Sequence, residues 1–325
     1  MNNHPLISVI TVSYNSSPHI RETIESVLAQ HYTDFEYVIG DDCSSDDTWQ
    51  IIQSYADHRI KSYRNESNLK EYGNRNKAVD HASGEYVIFI DGDDYMYPHA
   101  LSVFSYYIKL FPECSMFFSR EWDHRILYPY KVLPRTFYQF EYFDKGIMGG
   151  NFTNVVFKRK DIIEAGYFAA HIRSGDTYLQ LKIGRSKPSV AIPQGLTWWR
   201  KREGNATSEL FKDNRHLAET FGYRLKLLDE DCPLSTQEIE LAKTNIYGLY
   251  MRMLIRLVLK LKFGEVNYLL KRLNIPPAYW KSILVPSKTQ FFDHVTGDRP
   301  LHSSVNKTAL PVDSWSDERD QIGQY

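Results

Sequence analysis

Along the first part of the chain, short apolar runs rich in β-branched residues alternate with stretches whose apolar positions recur every three or four residues. Leu6 to Tyr14 reads LISVITVSY and stops at Asn15-Ser16-Ser17, which predicts a strand buried on both faces. Ser17-Pro18 then predicts a helix start, with a capping hydroxyl followed by proline at the first helical position. Ile20, Ile24, Val27 and Leu28 fall on one face of that helix. Phe35 to Ile39 predicts a second buried strand, ending at Gly40-Asp41-Asp42, and Asp46 or Asp47 can cap a helix that turns Ile51, Ile52 and Tyr55 inward. Ile60 to Tyr63 predicts a third strand, Gly73 to Ala82 a third helix, and Tyr86 to Ile90 a fourth strand after the Ser83-Gly84 turn. Such alternation predicts an α/β fold: a mostly parallel sheet with right-handed crossovers, flanked by helices.

The rhythm changes further along. From Cys114 to Arg200 it is irregular, with short strands expected at Met116-Phe117-Phe118, Val155-Val156-Phe157 and Ala191-Ile192. From Leu210 it becomes helical, and Ser235-Thr236-Gln237-Glu238 has the form of a capping box. Beyond Pro286 periodicity fades. The expected organisation is therefore an α/β domain over 1–208, a helical region over 209–285 and a loosely structured tail over 286–325.

Composition alters this picture little. Of 325 residues, 42% are hydrophobic and 24% charged, as in ordinary soluble domains. The formal net charge is −1, which offers no overall field for nucleic acid. Cys43, Cys114 and Cys232 are odd in number and lack metal-ligand spacing, which fits a reducing compartment. No basic-then-apolar leader opens the chain and no long uncharged apolar run crosses it. The expectation is a cytoplasmic protein with room for peripheral membrane association and for a homo-oligomer. Charge is nonetheless uneven: between Ala242 and Phe292 there are nine Lys or Arg and one acid, Glu265. Arg252, Arg256 and Lys260 form a basic stripe, and Ile246, Tyr250, Met253, Leu254, Leu257, Val258 and Leu261 form a wide apolar face beside it. Such a helix suits either an anionic membrane surface or packing against the rest of the protein.

The polar clusters Tyr14-Asn15, Asp41-Asp42 and Asp91-Gly92-Asp93-Asp94 all stand at strand ends. In open α/β sheets ligands sit beyond the carboxyl ends of the strands, so the clusters are expected to converge on one edge. Three carboxylates within four residues repel one another unless water screens them or a cation sits among them. Oxygen-only ligands in an open turn suit Mg²⁺ or Mn²⁺. A solvated, helix-capping turn is the competing explanation.

Taken in order, TVSYN (Thr11 to Asn15), GDDCSSDDT (Gly40 to Thr48), NLKEYGNRNKA (Asn68 to Ala78), SGEYVIFIDGDD (Ser83 to Asp94) and SGDTYLQLKIG (Ser174 to Gly184) resemble the family 2 glycosyltransferases. The resemblance implies a GT-A fold, Rossmann-like, and inverting transfer from a nucleotide-sugar donor, UDP-linked by expectation, to a glycan or lipid-linked acceptor. It implies that Val12, Tyr14, Asp42, Lys70, Arg75, Asp91 and Gly92 surround the nucleotide, Tyr14 stacking on the base and Asp42 accepting its imide N–H. It implies that Asp91, Asp93 and Asp94 hold the divalent cation, Asp93 and Asp94 nearest the diphosphate, and that Asp176 is the general base. The motif TWWRKREGN departs from the family, since Arg202 stands where a histidine can assist the metal. Arginine cannot ligate a cation, so Arg200 and Arg202 become candidates for the diphosphate. Two rivals remain open at this point. A sugar-phosphate nucleotidyltransferase needs a basic glycine-rich loop where Tyr14-Asn15-Ser16-Ser17-Pro18 stands, and a catalytically dead scaffold has no need of the carboxylates.

Overall fold

In the computed structural model, the residues described are 6–120, 126–144, 146, 148, 152–200, 214, 216–229 and 231–284. Their centre is a sheet of eight strands in the order β3-β2-β1-β4-β8-β6-β9-β7. These are β1 (Ile7–Ser13), β2 (Phe35–Asp41), β3 (Ile60–Arg64), β4 (Tyr86–Phe89), β6 (Met116–Arg120), β7 (Tyr130–Val132), β8 (Val155–Lys158) and β9 (Ser189–Pro193). The half from β3 to β4 is parallel, as the apolar runs predict. β8 is antiparallel to both β4 and β6, and β7 is antiparallel to β9. Order and direction in this half depend on pairings between distant segments, and local periodicity does not report them. A small second sheet joins β5 (Tyr95–Met96) to β10 (Thr197–Trp198).

Three helices link the parallel strands: α1 (Ile20–Leu28), α2 (Thr48–Gln53) and α3 (Lys70–His81). Ile20, Ile24 and Val27 of α1 are fully buried against Val9, Tyr37, Ile39 and Ile88 of the sheet. On the far side of β4, α4 (Ala100–Leu110) buries Leu101 and Phe104 in the same core. β3 is an edge strand with most side chains exposed.

Two expected helix starts shift. The first helix begins at Ile20 rather than beside Pro18. The Ser17 side chain caps nothing, and its N–H donates instead to Asp46 Oδ2 at 3.1 Å. The third begins at Lys70, ahead of the expected Gly73, because the N–H of Leu69 is held by Asp42 Oδ1 at 2.8 Å. A distant carboxylate and the local Asn68 side chain, which accepts the Lys70 N–H at 2.9 Å, together set this start.

The remaining helices are α5 (Pro134–Phe143), α6 (Arg159–Glu164), α7 (Gly175–Ser186), α8 (His216–Asp229), α9 (Thr236–Leu259) and α10 (Phe263–Arg272). The predicted capping box forms: Ser235 Oγ accepts the Glu238 N–H, and Glu238 Oε2 accepts the Ser235 N–H at 2.7 Å. Gln139 and Arg135 of α5 also donate to Glu238, at 2.7 and 3.2 Å, and so fasten α9 to α5. On α9, Ile246, Tyr250, Leu254 and Leu257 are buried. Tyr250 packs its ring on Phe221 of α8 and donates its hydroxyl to Leu269 O of α10. Packing therefore takes most of the expected apolar face, while Val258 and Leu261 stay exposed. Among the described residues no helix is long and apolar enough to cross a membrane. The expected tail over 286–325 lies outside the described residues.

Candidate active site

The carboxyl ends of β1, β2 and β4 lie on one edge because these strands run parallel in close register, Ser13 opposite Asp41 and Ile10 opposite Phe89. The loops leaving that edge are stitched together. Asn15 N–H donates to Ser44 Oγ, Ser45 N–H to Asn15 Oδ1, and Ser16 N–H to Thr48 Oγ1, at 2.8 to 3.0 Å. Asn15, Cys43 and Lys70 all carry positive φ (49°, 63° and 66°). Left-handed backbone at a non-glycine residue costs of order 1 kcal/mol, and here three such residues gather in the loops of one edge.

The aspartates of this edge divide by environment. Asp41 is fully buried and belongs to the framework: its carboxylate accepts from the Ser44 N–H at 3.2 Å, from the Ser44 hydroxyl, and from Arg64 Nε at 3.2 Å. Asp46 is likewise engaged, accepting from the Ser17 and Thr48 N–H groups, both at 3.1 Å. Asp42 is almost fully buried, and its Oδ1 takes both Asn65 Nδ2 and the Leu69 N–H at 2.8 Å. Asn65 is braced by Asn74, which donates to Gly40 O. These bonds fix the carboxylate plane and leave Oδ2 outside them. Beside it Tyr14 presents a half-exposed ring, and Val12 sits opposite Gly40 in the strand register.

The Asp91-Gly92-Asp93-Asp94 turn follows β4. Gly92 is buried so close to β1 that a Cβ there would lie 3.0 Å from Ser13 Cβ, so glycine lets the turn sit against the first strand. Burial raises the proton affinity of Asp91; the Arg75 guanidinium opposes this, while Asp93 and Asp176 add to it. Burial also pushes Asp94 well above the ordinary carboxylate range, with Asp91 reinforcing it and the Arg200 N–H resisting it. Asp94 Oδ1 accepts that N–H at 3.1 Å, yet Oδ2 is buried with no donor at all. A desolvated carboxylate oxygen without a donor, beside a second carboxylate, is a site that a cation completes. The donor set is oxygen only, in keeping with Mg²⁺ or Mn²⁺. Among the described residues no three His, Cys, Asp or Glu side chains already converge as a ligand set. A cation held here would draw most of its coordination from water and phosphate oxygens.

Arg75 is placed unlike a solvated cation. It is 2% exposed, its Nη2 lies 2.8 Å from Asp91 Oδ1 and 3.0 Å from Glu71 Oε1, and its guanidinium stacks 4.4 Å from the Phe152 ring centroid. Asp176 stands in the first turn of α7, and its Oδ1 accepts from the Thr177 N–H at 2.7 Å and the Tyr72 hydroxyl at 3.3 Å. Gly175 allows that approach, since a Cβ on it would meet the Tyr72 ring at 2.9 Å. Asp176 is close enough to raise the proton affinities of Asp91 and Glu71. The fold thus brings Asp176 to Asp91 across a long stretch of sequence. Glu71 and Tyr72 escaped the sequence reading. Only the four-residue spacing from Glu71 to Arg75 hinted at that ion pair.

Arg200 arrives through the β5–β10 ribbon, in which Trp198 faces Tyr95. It donates from Nε to Asp93 O at 2.9 Å, pairs with Glu22, and stacks on Trp198. Lys70 opens α3 next to Leu69, at the Asp42 side of the edge. Arg202 lies outside the described residues.

With this geometry in place, comparison with known proteins is decisive for the family: residues 8–164 match the model of glycosyl transferase family 2. The chain carries a family 2 glycosyltransferase domain. That domain contains every strand end of the edge just described, from Tyr14 to Asp94. Its relatives include the Escherichia coli UDP-Glc:alpha-D-GlcNAc-diphosphoundecaprenol beta-1,3-glucosyltransferase WfaP, 43% identical over 90 residues, which are 28% of this chain and 36% of WfaP. The chain spans about a third of the length of the first curated relatives it matches. Among solved structures, Staphylococcus aureus TarS 1–349 with UDP-GlcNAc superposes with a TM-score of 0.59 at 20% identity, over 75% of this chain and 71% of that one. The mannosyltransferase PcManGT of Pyrobaculum calidifontis, with GDP-Man and Mn²⁺, gives 0.53 at 16% identity, over 90% and 88%. At such identities these likenesses speak to fold alone, and the mixed sheet flanked by helices is the GT-A arrangement.

Proposed function

We propose that this protein is an inverting glycosyltransferase that moves a sugar from a nucleotide-diphosphate donor, a UDP-sugar, to a hydroxyl group of a glycan or lipid-linked acceptor in polysaccharide biosynthesis. The observation that carries the reading is the Asp91-to-Asp94 turn. Inside a family 2 domain, an aspartate oxygen is kept buried and undonated beside a second carboxylate. Such an arrangement costs stability and is explained by a cation that the turn serves.

The half-exposed Tyr14 ring offers a face to the base, and Val12 precedes it at the end of β1. Asp42, held by Asn65 and Leu69, accepts the imide N–H through Oδ2. Lys70, Gly92 and the Arg75–Asp91 pair border the nucleotide. Asp93 and Asp94, with Asp91 beside them, would hold Mn²⁺ or Mg²⁺, which would supply Lewis-acid stabilisation to the leaving diphosphate. Arg200 adds positive charge near the same turn, and Arg202 is the second candidate for the diphosphate. Asp176 takes the proton of the acceptor hydroxyl as its oxygen bonds to the anomeric carbon and the bond from that carbon to the diphosphate oxygen breaks. Attack opposite the leaving group inverts the anomeric centre. The lipid-linked acceptor is supported by likeness to the Escherichia coli relative whose acceptor is a diphosphoundecaprenol-linked sugar.

The test is a panel of nucleotide sugars with and without Mn²⁺, followed for nucleotide release, with NMR of the product anomer. Metal-dependent release of UDP and an inverted product are expected. Sugar 1-phosphate as product would indicate nucleotidyl transfer. UDP binding without turnover would indicate a scaffold, and a retained anomer would remove Asp176 from the role of base.

A further inference from the structure

The turn between α9 and α10 differs from the rest of the helical region. Every residue from Val258 to Gly264 is exposed. Four of them are large and apolar, and the most exposed are Leu259 at 77%, Leu261 at 74% and Phe263 at 59%. Lys260 and Lys262 alternate with them along the chain. The turn is held in place. The N–H groups of Lys260, Leu261 and Lys262 donate to the carbonyls of Arg256, Val258 and Leu257 at 2.9 to 3.1 Å, and Leu261 adopts φ 56°. Its apolar side chains are therefore presented outward by a fixed backbone, where water solvates them poorly.

Next to this tip is a cavity of 360 Å³ between α8, α9 and the turn itself. Leu217, Leu249 and Met253 line it together with three cations, Arg256, Lys260 and Lys262. The surroundings have the same sign: from Lys243 to Leu284 there are eight Lys or Arg and one acid, Glu265, in a chain of net charge −1. The expected stripe is changed by the fold, since Arg252 turns its Nη1 to Ile283 O at 3.3 Å. The basic groups at the tip are Arg256, Lys260 and Lys262, the last also paired with Glu265 Oε1 at 2.9 Å.

We infer that this corner docks on an anionic phospholipid surface, with Leu259, Leu261 and Phe263 entering the boundary between headgroups and acyl chains while Arg256, Lys260 and Lys262 meet lipid phosphates. Charge complementarity selects this occupant. A protein partner or a second copy would bury a lysine between each pair of apolar side chains, and interface cores are depleted of lysine. At a bilayer the same alternation is favourable, because lysine stems lie along the apolar layer while their ammonium groups reach the phosphates. The docking does not depend on the identity of the acceptor. If the acceptor is lipid-linked, the same contact delivers the protein to it.

The experiment is sedimentation of the full chain with vesicles of phosphatidylcholine alone or mixed with phosphatidylglycerol. The wild-type chain should pellet with the anionic vesicles at low salt and be released as salt rises. Leu259→Ser/Leu261→Ser/Phe263→Ser should weaken that binding at least roughly tenfold. Arg256→Gln/Lys260→Gln/Lys262→Gln should weaken it by roughly fivefold per charge removed. Both triple variants change exposed residues, and unaltered circular-dichroism melts confirm that they fold. The inference is overturned if the wild-type chain stays in the supernatant, or if either variant pellets as the wild type does. It is also overturned if neutral and anionic vesicles bind equally. Self-association without vesicles, abolished by the serine variant in sedimentation velocity, would assign the tip to a second copy and overturn it as well.

Discussion

Glu36 is the most heavily hydrogen-bonded carboxylate in the sheet, and replacing it by glutamine tests how that sheet is held. It lies in β2 and is 5% exposed. Its oxygens accept from Ser8 Oγ of β1 and Lys61 Nζ of β3, both at 2.5 Å, from Ser83 Oγ at 2.7 Å, from Gly84 N–H at 3.2 Å, and from the Ser83 N–H. Burial alone would raise its proton affinity. The bonds from Lys61, Ser8 and Ser83 outweigh that and hold the carboxyl at about 2, against an ordinary value of 4.5. At about 1.4 kcal/mol per tenfold change in proton affinity, ionised Glu36 contributes about 3 kcal/mol to folding. The folded-state value is depressed, so this contribution is complete above pH 4.5 and is lost as pH falls toward 2. Urea unfolding of the wild-type chain and of Glu36→Gln at a series of pH values measures it. The variant should be less stable by about 3 kcal/mol at neutral pH, and the gap should close as the wild-type carboxylate takes up its proton. A gap that is independent of pH would show that the loss comes from packing or from the amide's misplaced donor, and would refute the reasoning.

At the active edge, Asp93→Ala and Asp94→Ala should abolish transfer and weaken Mn²⁺-dependent UDP binding; calorimetry with unchanged affinity in both would contradict the metal assignment. Asp94→Asn should also eliminate turnover, and above about pH 8, where the desolvated Asp94 carboxyl of the metal-free chain ionises, it should raise the thermal midpoint; an unchanged midpoint there would count against the burial argument. Asp176→Asn should leave donor binding nearly intact while turnover falls by roughly 10²–10⁴-fold, the usual worth of a positioned base. Asp42→Ala should raise the donor KM more than it lowers kcat, since a bond to the base persists from ground state to transition state. An unchanged KM with collapsed kcat would count against that role.

Much of the nucleotide-facing half was legible because its information is local. The apolar runs at Ile7–Ser13, Phe35–Asp41 and Tyr86–Phe89 are strands buried on both faces, and a parallel arrangement puts their polar ends on one edge. The capping box at Ser235 and Glu238 is also local, and it forms as its spacing requires. Other features depended on contacts between segments far apart in the chain. The alternation of strand and helix carries no information about β8 running antiparallel between β4 and β6, because direction is settled by pairing partners. For Arg75 the local pattern could not separate a nucleotide contact from a solvated cation; in the fold the rings of Phe89, Phe152 and Phe168 enclose it and Asp91 neutralises it. Asp41 and Asp42 are neighbours of the same type, and only burial and donors make one a framework group and leave one oxygen of the other outside its hydrogen bonds. On α9 the apolar pattern named a face without naming what covers it. The fold closes α8 and α10 over Tyr250 and leaves Leu259, Leu261 and Phe263 to solvent, because the chain turns back at Lys260 before the stripe ends.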